Sequence, residues 1–295
     1  MTSSDQPTLT ARASRQLMRL GRTMFRNTPL QRLPVVSALY RRLSETAYGQ
    51  GGTTIVEFRE IEIEIASGDI TTLPSLADGT YESAELDRFL SYIRPGAVVA
   101  DVGANIGIWS VLLSRAVGVD GKVFAFEPSP TNAELLRNNL VRNGCTNVEV
   151  VTAAVGRSAG RAVLDTTSPG ATHHLAALGS AGDTPVDMVS LDDFLAASGA
   201  SVDAVKIDIE GFEPEALAGM SGALSSRPVL LCEFSVPQAR SAGLDWSASL
   251  VELLERYGSC EVFDGRSVQR VESGHARTLL DSKKLLNLLF TNVGR

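Results

Sequence analysis

The sequence predicts an α/β protein with a mostly parallel, doubly wound sheet of about seven strands and helices on both faces. The first observation is the order of segments, since short apolar runs typical of buried strands alternate with segments of helical periodicity. The second is the stretch AVVADVGANIG, residues 97–107, where a strand runs into a glycine-spaced turn and then a helix. A strand, tight turn and helix N-terminus form the nucleotide cradle of doubly wound folds.

The glycine spacing of this turn bears on the ligand. Gly103, Asn105 and Gly107 suit a backbone with positive φ, which glycine adopts freely and asparagine tolerates. Because Gly103 and Gly107 are four residues apart, the turn departs from the dinucleotide fingerprint G-x-G-x-x-G. A ligand with a ribose but no pyrophosphate fits this loop better. The turn therefore favours S-adenosyl-L-methionine over NAD.

A second apolar strand, Lys122–Phe126, ends in Glu127, twenty residues beyond Gly107. A carboxylate at the end of this strand is placed to accept hydrogen bonds from two ribose hydroxyls. Pro128 then turns the chain into a helix predicted over Thr131–Arg142. We therefore expect Glu127 to hold the ribose.

Composition bounds the possibilities. The 295 residues, 44% of them hydrophobic, suffice for one large α/β domain plus an extension. No run is long enough to span a membrane and no signal peptide is evident, so a cytoplasmic protein is expected. The cysteines lack metal-binding spacing, which predicts free thiols in a reducing compartment and no metal. They are Cys145, Cys232 and Cys260.

The N-terminal segment differs in charge from the rest of the chain. Residues 1–48 contain eight arginines and two acids, whereas the whole chain carries −7. Within residues 9–26 the arginines share one helical face and apolar residues the opposite one. This pattern predicts a basic amphipathic extension before a domain at 49–295. The helix either packs on the body, or contacts an anionic membrane on its inner face, or is a cleaved organellar targeting segment.

Two segments precede the first central strand. Phe58–Ile65 alternates between isoleucine and glutamate, which predicts a half-exposed strand in a small hairpin. Ser83 is the expected N-cap of a helix with a stripe from Leu86 to Ile93. Tyr81 and Glu82 lie just before it, near the predicted loop, where Glu82 either faces the ligand or serves as a first-turn charge.

Acidic residues end two later strands. AVKIDI, residues 204–209, carries Lys206 and Asp208 and is followed by Glu210. Period-two alternation places these three on one side, so a charged network is expected. The strand predicted over Pro228–Phe234 adds Glu233. If this strand lies beside the first one, these carboxylates would lie at the carboxyl edge of the sheet, next to the glycine-spaced turn. The alternative is a buried ion pair with no role in catalysis.

The region between these strands is less regular. Asn147–Val155 is predicted as a third strand, and residues 161–190 as short strands and a loop. The pair His173–His174 in this loop has no visible partner ligands, so a surface pair is expected. A helix over Val189–Ser198, with Ser190 as its cap, completes this part.

Seven motifs occur in order: YESAEL, DVGANIG, FEPSP, AAVG, SLDDFL, KIDIEGFE and NLLF. On these motifs the chain, from about Tyr81 to the C-terminus, resembles the FkbM family of S-adenosylmethionine-dependent methyltransferases. The resemblance implies a Rossmann-like class I methyltransferase fold. It also implies transfer to a hydroxyl of a sugar, glycolipid or polyketide.

Together the resemblance and the residues suggest a site. The residues expected to contact the cofactor are Glu82, Asp101, Gly103, Asn105, Gly107, Glu127, Pro128, Ala153 and Ala154. The alanines would flank the adenine, and Glu82 would reach the methionine ammonium. Asp208, Glu210 and Glu233 are the candidates to orient or deprotonate the acceptor, with His275 an outsider.

The expected acceptor is a small molecule or a lipid-linked glycan, and no nucleic acid is expected. Two rival functions remain open from the sequence. One is an NAD-dependent oxidoreductase on the same sheet, and the other is an inactive membrane-associated adaptor that keeps the fold.

Overall fold

The structure is a computed structural model that describes residues 39, 42–43, 46–47, 51–165, 174–176, 183–265 and 267–292. The chain divides into two compact units, residues 1–81 and 82–295. The predicted arginine-rich helix at residues 9–26 and His173 lie outside the described residues. The domain boundary at residue 49 therefore stays a prediction.

The first unit contains a hairpin and a short helix. Strands β1 (Thr53–Phe58) and β2 (Ile61–Ala66) pair antiparallel, and α1 (Leu73–Ala77) packs on β1. The isoleucines of β2 are buried while Glu62 is exposed, so the predicted alternation is confirmed. The second strand begins later than predicted because residues 59–60 have positive φ and form the two-residue turn.

The described residues of the second unit form twelve strands in two sheets. In chain order they are β3 (Val98–Val102), β4 (Lys122–Phe126), β5 (Val148–Val151), β6 (Ala154–Val155), β7 (Gly160–Asp165), β8 (His174–Ala176), β9 (Asp183–Val189), β10 (Ala204–Ile207), β11 (Val229–Phe234), β12 (Ser259–Phe263), β13 (Val268–Glu272) and β14 (Leu286–Phe290).

The larger sheet has eight strands, in the order β13-β12-β14-β11-β10-β3-β4-β5. Neighbours from β11 to β5 pair parallel, and those from β13 to β11 pair antiparallel. The α/β class with a mostly parallel sheet is confirmed, but the count of seven strands is wrong. The missed strand is β13, an edge strand whose residues are mostly exposed and therefore lack an apolar signal.

The smaller sheet has the order β6-β9-β7-β8. The single strand predicted over Asn147–Val155 is therefore wrong, since β5 joins the large sheet and β6 joins β9 in the small one. Thr152 and Ala153 separate the two strands, and the Ala153 N–H donates to the Val151 carbonyl. This short backbone turn lets one apolar run serve two sheets.

Nine helices of the second unit connect these strands within the described residues. They are α2 (Ser83–Leu90), α3 (Ile108–Val117), α4 (Pro130–Arg142), α5 (Leu191–Ser198), α6 (Glu213–Ala218), α7 (Ser221–Ser225), α8 (Val236–Ser241), α9 (Ser247–Tyr257) and α10 (Ala276–Leu280), with a 3-10 turn at Ser273–His275.

The helix starts test the predicted caps. Ser190 caps α5, as predicted, because its hydroxyl accepts a hydrogen bond from the Asp193 N–H. The cap predicted for α2 is wrong by one residue: Ser83 is its first helical residue, and Glu82 occupies the cap position in a left-handed conformation. None of the helices in the described residues is long and apolar enough to cross a membrane.

The main core lies around the central strands of the large sheet. Its largest fully buried side chains include Trp246, Phe126, Phe234 and Phe290. Burying a side chain of this size stabilises the fold by about 1.5–3 kcal/mol. This core holds the central strands rigidly, so the positions of the side chains at their carboxyl ends are defined.

Candidate active site

The loop after β3 is closely packed against other parts of the protein. Gly103 has φ +82°, and a Cβ added there would lie 1.9 Å from the Asp208 carbonyl oxygen. A Cβ added at Gly107 would meet the Leu136 side chain on α4. The missing Cβ atoms of the two glycines therefore leave room for the turn after β10 and for the helix α4, and the predicted contact of both residues with a cofactor stays a prediction.

Asn105 adopts positive φ, as predicted, and links the loop to Glu127. Its N–H donates to Oε2 of Glu127 at 2.9 Å, and the Ser129 N–H donates to Oε1 at 2.8 Å. Glu127 is buried, and burial raises its pKa to about 7 although both N–H groups oppose the rise. A carboxylate can accept about four hydrogen bonds, so Glu127 keeps capacity for a ligand.

Lys206 joins two neighbouring strands through a buried ion pair. Its Nζ lies 3.7 Å from Oδ1 of Asp101, 3.4 Å from Oδ2 of Asp208 and 3.3 Å from the Gly103 carbonyl oxygen. Ser110 donates to the other oxygen of Asp101 at 2.6 Å. Burial alone would lower the pKa of Lys206, but Asp208 and Asp101 reverse this and raise it. Lys206 is therefore a fixed cation.

The charged network around Lys206 differs from the predicted one in two ways. Asp101, which was assigned only to the cofactor loop, is one of its two ion-pair partners, alongside the predicted Asp208. The strand β10 ends at Ile207, so period-two alternation does not extend to Glu210. A turn, not the strand pleat, sets the position of Glu210.

Glu82 is held by Trp109, a residue that was not among the predicted site residues. Trp109, the second residue of α3, donates from Nε1 to Oε2 of Glu82 at 2.7 Å, and its ring centre lies 5.7 Å from the Lys206 ammonium. Burial, and then repulsion from Asp208, raises the pKa of Glu82 to about 7. This places Glu82 in the same charged group. No local sequence signal marks this pairing, since only the fold brings α3 to Glu82.

The turn after β10 is shaped by two further residues that were not predicted. Oε1 of Glu213 accepts hydrogen bonds from the N–H groups of Ile209 at 3.1 Å and Gly211 at 3.0 Å. Glu210, with φ +56°, accepts a hydrogen bond at 2.5 Å from Nε2 of Gln238 on α8. Glu213 and Gln238 therefore hold Glu210 in an uncommon backbone conformation.

Glu233 belongs to the same group. It is 6% exposed, and its Oε2 has no hydrogen-bond partner among the described residues. Burial, and then repulsion from Asp208, Glu210 and Glu213, raises its pKa well above the ordinary value. The structure thus brings together the three predicted catalytic candidates.

The remaining predicted residues lie in different settings. Pro128 is half-buried directly after Glu127, and Ala153 and Ala154 are buried. Ala154 belongs to β6 of the small sheet, where it packs in a separate apolar cluster. His275 is exposed after the edge strand β13.

Among the described residues no group of three or more His, Cys, Asp or Glu side chains is arranged to hold a metal ion, and the three cysteines are unbridged.

Comparison with known proteins identifies the family. The methyltransferase FkbM domain model matches residues 101–259. Hexuronic acid methyltransferase AglP of Haloferax volcanii is 30% identical over 138 residues, 46% of this chain and 55% of that protein. Ribosomal RNA large subunit methyltransferase E of Chromobacterium violaceum is 43% identical over 51 residues, 17% of this chain and 25% of that protein.

A solved structure, a SAM-dependent methyltransferase from Agrobacterium tumefaciens, superposes with a TM-score of 0.46 at 12% identity, over 82% of this chain and 71% of that one. The chain spans about half or less of the length of these two curated relatives. The family model, in contrast, matches more than half of this chain and includes both DVGANIG and KIDIEGFE. The chain therefore belongs to the FkbM family of S-adenosylmethionine-dependent methyltransferases.

Proposed function

We propose that this protein is an O-methyltransferase that acts on a hydroxyl of a sugar, glycolipid or related secondary metabolite. The observation that carries the proposal is a contact between two segments. One is the loop after β3, residues 103–107, which we call the glycine loop. The other is the turn after β10, residues 208–211, which we call the acidic turn. The loop backbone at Gly103 is packed directly on Asp208, and Lys206 contacts both. A cofactor on the loop and an acceptor beside the turn would therefore be neighbours.

The residues present fit S-adenosyl-L-methionine, the cofactor of the family and the one the loop spacing predicted over NAD. Asn105 Oδ1 is buried and has no hydrogen-bond partner within the described chain, and Asp101 Oδ1 has only the 3.7 Å ion pair with Lys206. Such atoms call for donors such as the ligand's amino and hydroxyl groups. In this proposal Glu127 holds the ribose, Glu82 receives the methionine ammonium, and Ala153 and Ala154 flank the adenine.

When bound, S-adenosyl-L-methionine supplies a methyl group already activated for displacement by its sulfonium. The protein then has to align the acceptor hydroxyl and remove its proton, since an alcohol holds its proton about as strongly as water, near a pKa of 15.7. Burial, and then repulsion from Asp208, raises the pKa of Glu210 to about 8. A base of this strength suits a reaction near neutral pH. We assign proton removal to Glu210, orientation of the hydroxyl to Asp208, and a supporting role to Glu233.

The relative from Haloferax volcanii, which is named a hexuronic acid methyltransferase, supports a sugar acceptor. A small-molecule or lipid-linked glycan therefore remains the proposed partner. The expectation that nucleic acid is not a substrate stays a prediction, since another relative is named for ribosomal RNA. Cytoplasmic placement and contact with the membrane face through residues 9–26 are likewise proposals.

The experiment measures methyl transfer to a panel of methyl hexosides and hexuronides by Asp208→Asn and Glu210→Gln. Loss of the base or the orienting carboxylate is expected to lower turnover by ~10²–10⁴, while affinity for S-adenosylhomocysteine stays near that of the wild type. Turnover by the wild type should rise with pH through about 8 as Glu210 loses its proton.

The matched control is Glu255→Gln, an exposed residue on α9, which should match the wild type. Single-turnover rates within a factor of a few of wild type for both site variants would mean that Lys206 and its acids form only a structural ion pair.

A further inference from the structure

Two side-chain oxygens beside Glu210 are buried and lack a hydrogen-bond partner in the described part of the chain: Oε2 of Glu233 and Oε1 of Gln238. Glu233 is buried, with only 6% of the residue exposed. Leaving such an atom without a donor is unfavourable, and native proteins rarely do so. Both oxygens therefore require hydrogen-bond partners that come from a ligand or from water.

The fold places these oxygens around the proposed base. The strands β10 and β11 pair parallel, with Ile207 opposite Cys232, so Glu233 follows on β11 at the level where β10 gives way to the acidic turn. Gln238 contacts the same turn from α8, through its hydrogen bond to Glu210 and its close packing on Gly211. An acceptor hydroxyl brought to Glu210 would have its neighbouring groups close to Glu233 and Gln238.

The region around Glu233 is crowded with carboxyl groups. Glu233 is repelled by Asp208, Glu210, Glu213 and Glu82. Among the described residues Lys206 is the basic side chain that forms ion pairs within this group, and its ammonium already lies beside Asp101 and Asp208. In a buried region of low dielectric, charges of like sign repel strongly. A ligand carboxylate here would repel Asp208, whose ion-pair partner Lys206 is already shared with Asp101.

We propose that Glu233 and Gln238 form a subsite that exchanges hydrogen bonds with the hydroxyl groups of an uncharged sugar and disfavours hexuronates. Sugar hydroxyls supply donors without charge, whereas a hexuronate replaces one of them with an acceptor-only carboxylate. The inference rests on the proposed O-methyltransferase function and refines its substrate class. It also separates this chain from the relative that is named for hexuronic acid.

The test offers the full-length protein matched pairs of methyl hexosides and methyl hexuronides of gluco, galacto and manno configuration, with S-adenosyl-L-methionine. For the configuration with the fastest transfer, kcat/KM is expected to be at least tenfold higher for the hexoside. Saturation-transfer NMR on the protein with S-adenosylhomocysteine should rank binding of the pair in the same order. Preference for the hexuronide overturns this inference alone; transfer to no hexoside or hexuronide overturns the sugar acceptor of the proposed function as well.

A variant tests the role of Glu233 directly. Glu233→Met keeps the length of the side chain but removes its acceptor oxygens, so KM for the hexoside should rise about fivefold while kcat changes less. Because the buried carboxyl has an unpartnered oxygen, its replacement should not lower the melting temperature. Glu255→Met, at an exposed position on α9, is the matched control. An unchanged KM in Glu233→Met overturns the subsite, and the wild-type comparison tests the charge argument even if this variant does not fold.

Discussion

Lys206 and Asp101 occupy paired positions on two neighbouring parallel strands, and their charged groups lie 3.7 Å apart in the interior. Both residues are buried, with 4% and 0% of their surface exposed. Removing one partner of such a pair typically costs about 3–5 kcal/mol, because the other charge stays buried. Since Lys206 also contacts Gly103 and Asp208, this one cation links the cofactor loop to the acidic turn.

The first prediction concerns the packing of that loop. Gly103→Ala should be far more destabilising than Gly199→Ala, although both residues have positive φ. At Gly199 no atom lies within 4 Å of the added Cβ, so only the left-handed backbone is penalised, by about 1–2 kcal/mol. At Gly103 the Cβ would lie 1.9 Å from the Asp208 carbonyl oxygen. Urea denaturation measures both free energies of unfolding, and equal losses would contradict the packing described here.

The second prediction concerns Glu127. Glu127→Ala should weaken binding of S-adenosylhomocysteine by about 1.5–3 kcal/mol, the range for hydrogen bonds to a charged group. The variant removes the proposed ribose contact and also the acceptor of the Asn105 and Ser129 N–H groups. Titration calorimetry measures the affinity, and Glu134→Ala, exposed on α4, is the control. Unchanged affinity would remove Glu127 from the site.

The third prediction concerns stability and pH. Burial raises the pKa of Glu82, Glu127 and Glu213 to about 7, above the ordinary value of 4.5 that the unfolded chain is expected to show. The folded protein therefore holds these protons more tightly than the unfolded chain. Their contribution to stability is present below pH 4.5 and is lost as the pH rises through 7. The melting temperature should fall between pH 5.5 and pH 8.

Glu210 contributes to the same trend, since its pKa is raised to about 8, first by burial and then by Asp208. Glu210→Gln should therefore flatten the fall in melting temperature, whereas the exposed control Glu255→Gln should leave it unchanged. A melting temperature that rises from pH 5.5 to pH 8 would show that these carboxyls are ionised without cost in the folded state.

The fourth prediction concerns the N-terminal extension. Each basic residue near an anionic membrane contributes about 1 kcal/mol of attraction, screened by salt. We expect the full-length protein to sediment with anionic vesicles at low salt and to be released at high salt. Replacing five arginines with glutamine should abolish sedimentation: Arg12, Arg15, Arg19, Arg22 and Arg26. Equal sedimentation of both proteins would exclude this segment as the membrane contact.

Much of the fold was predictable because its signals are local. The apolar runs at β3, β4, β10 and β11 are buried over their whole length or nearly so, and such strands lack polar alternation. The bounds of β4 match the predicted ones. The strands that were predicted wrongly also have a local explanation. The exposed strand β13 has no apolar run, and the run that contains β5 and β6 hides a change of sheet.

By itself the sequence determined the fold class, the family and the cofactor. These follow from short motifs, and a short motif is formed by residues that are close together along the chain. Asp101, Glu127, Asp208 and Glu233 could be assigned to one edge because parallel strands end on the same side of a sheet. Only the tertiary structure decided which groups touch. Trp109 reaches Glu82, Gln238 reaches Glu210, and the two glycines contact protein, since these contacts join segments that are distant in sequence. No periodicity records such contacts, because they arise only when the core brings helices and turns together.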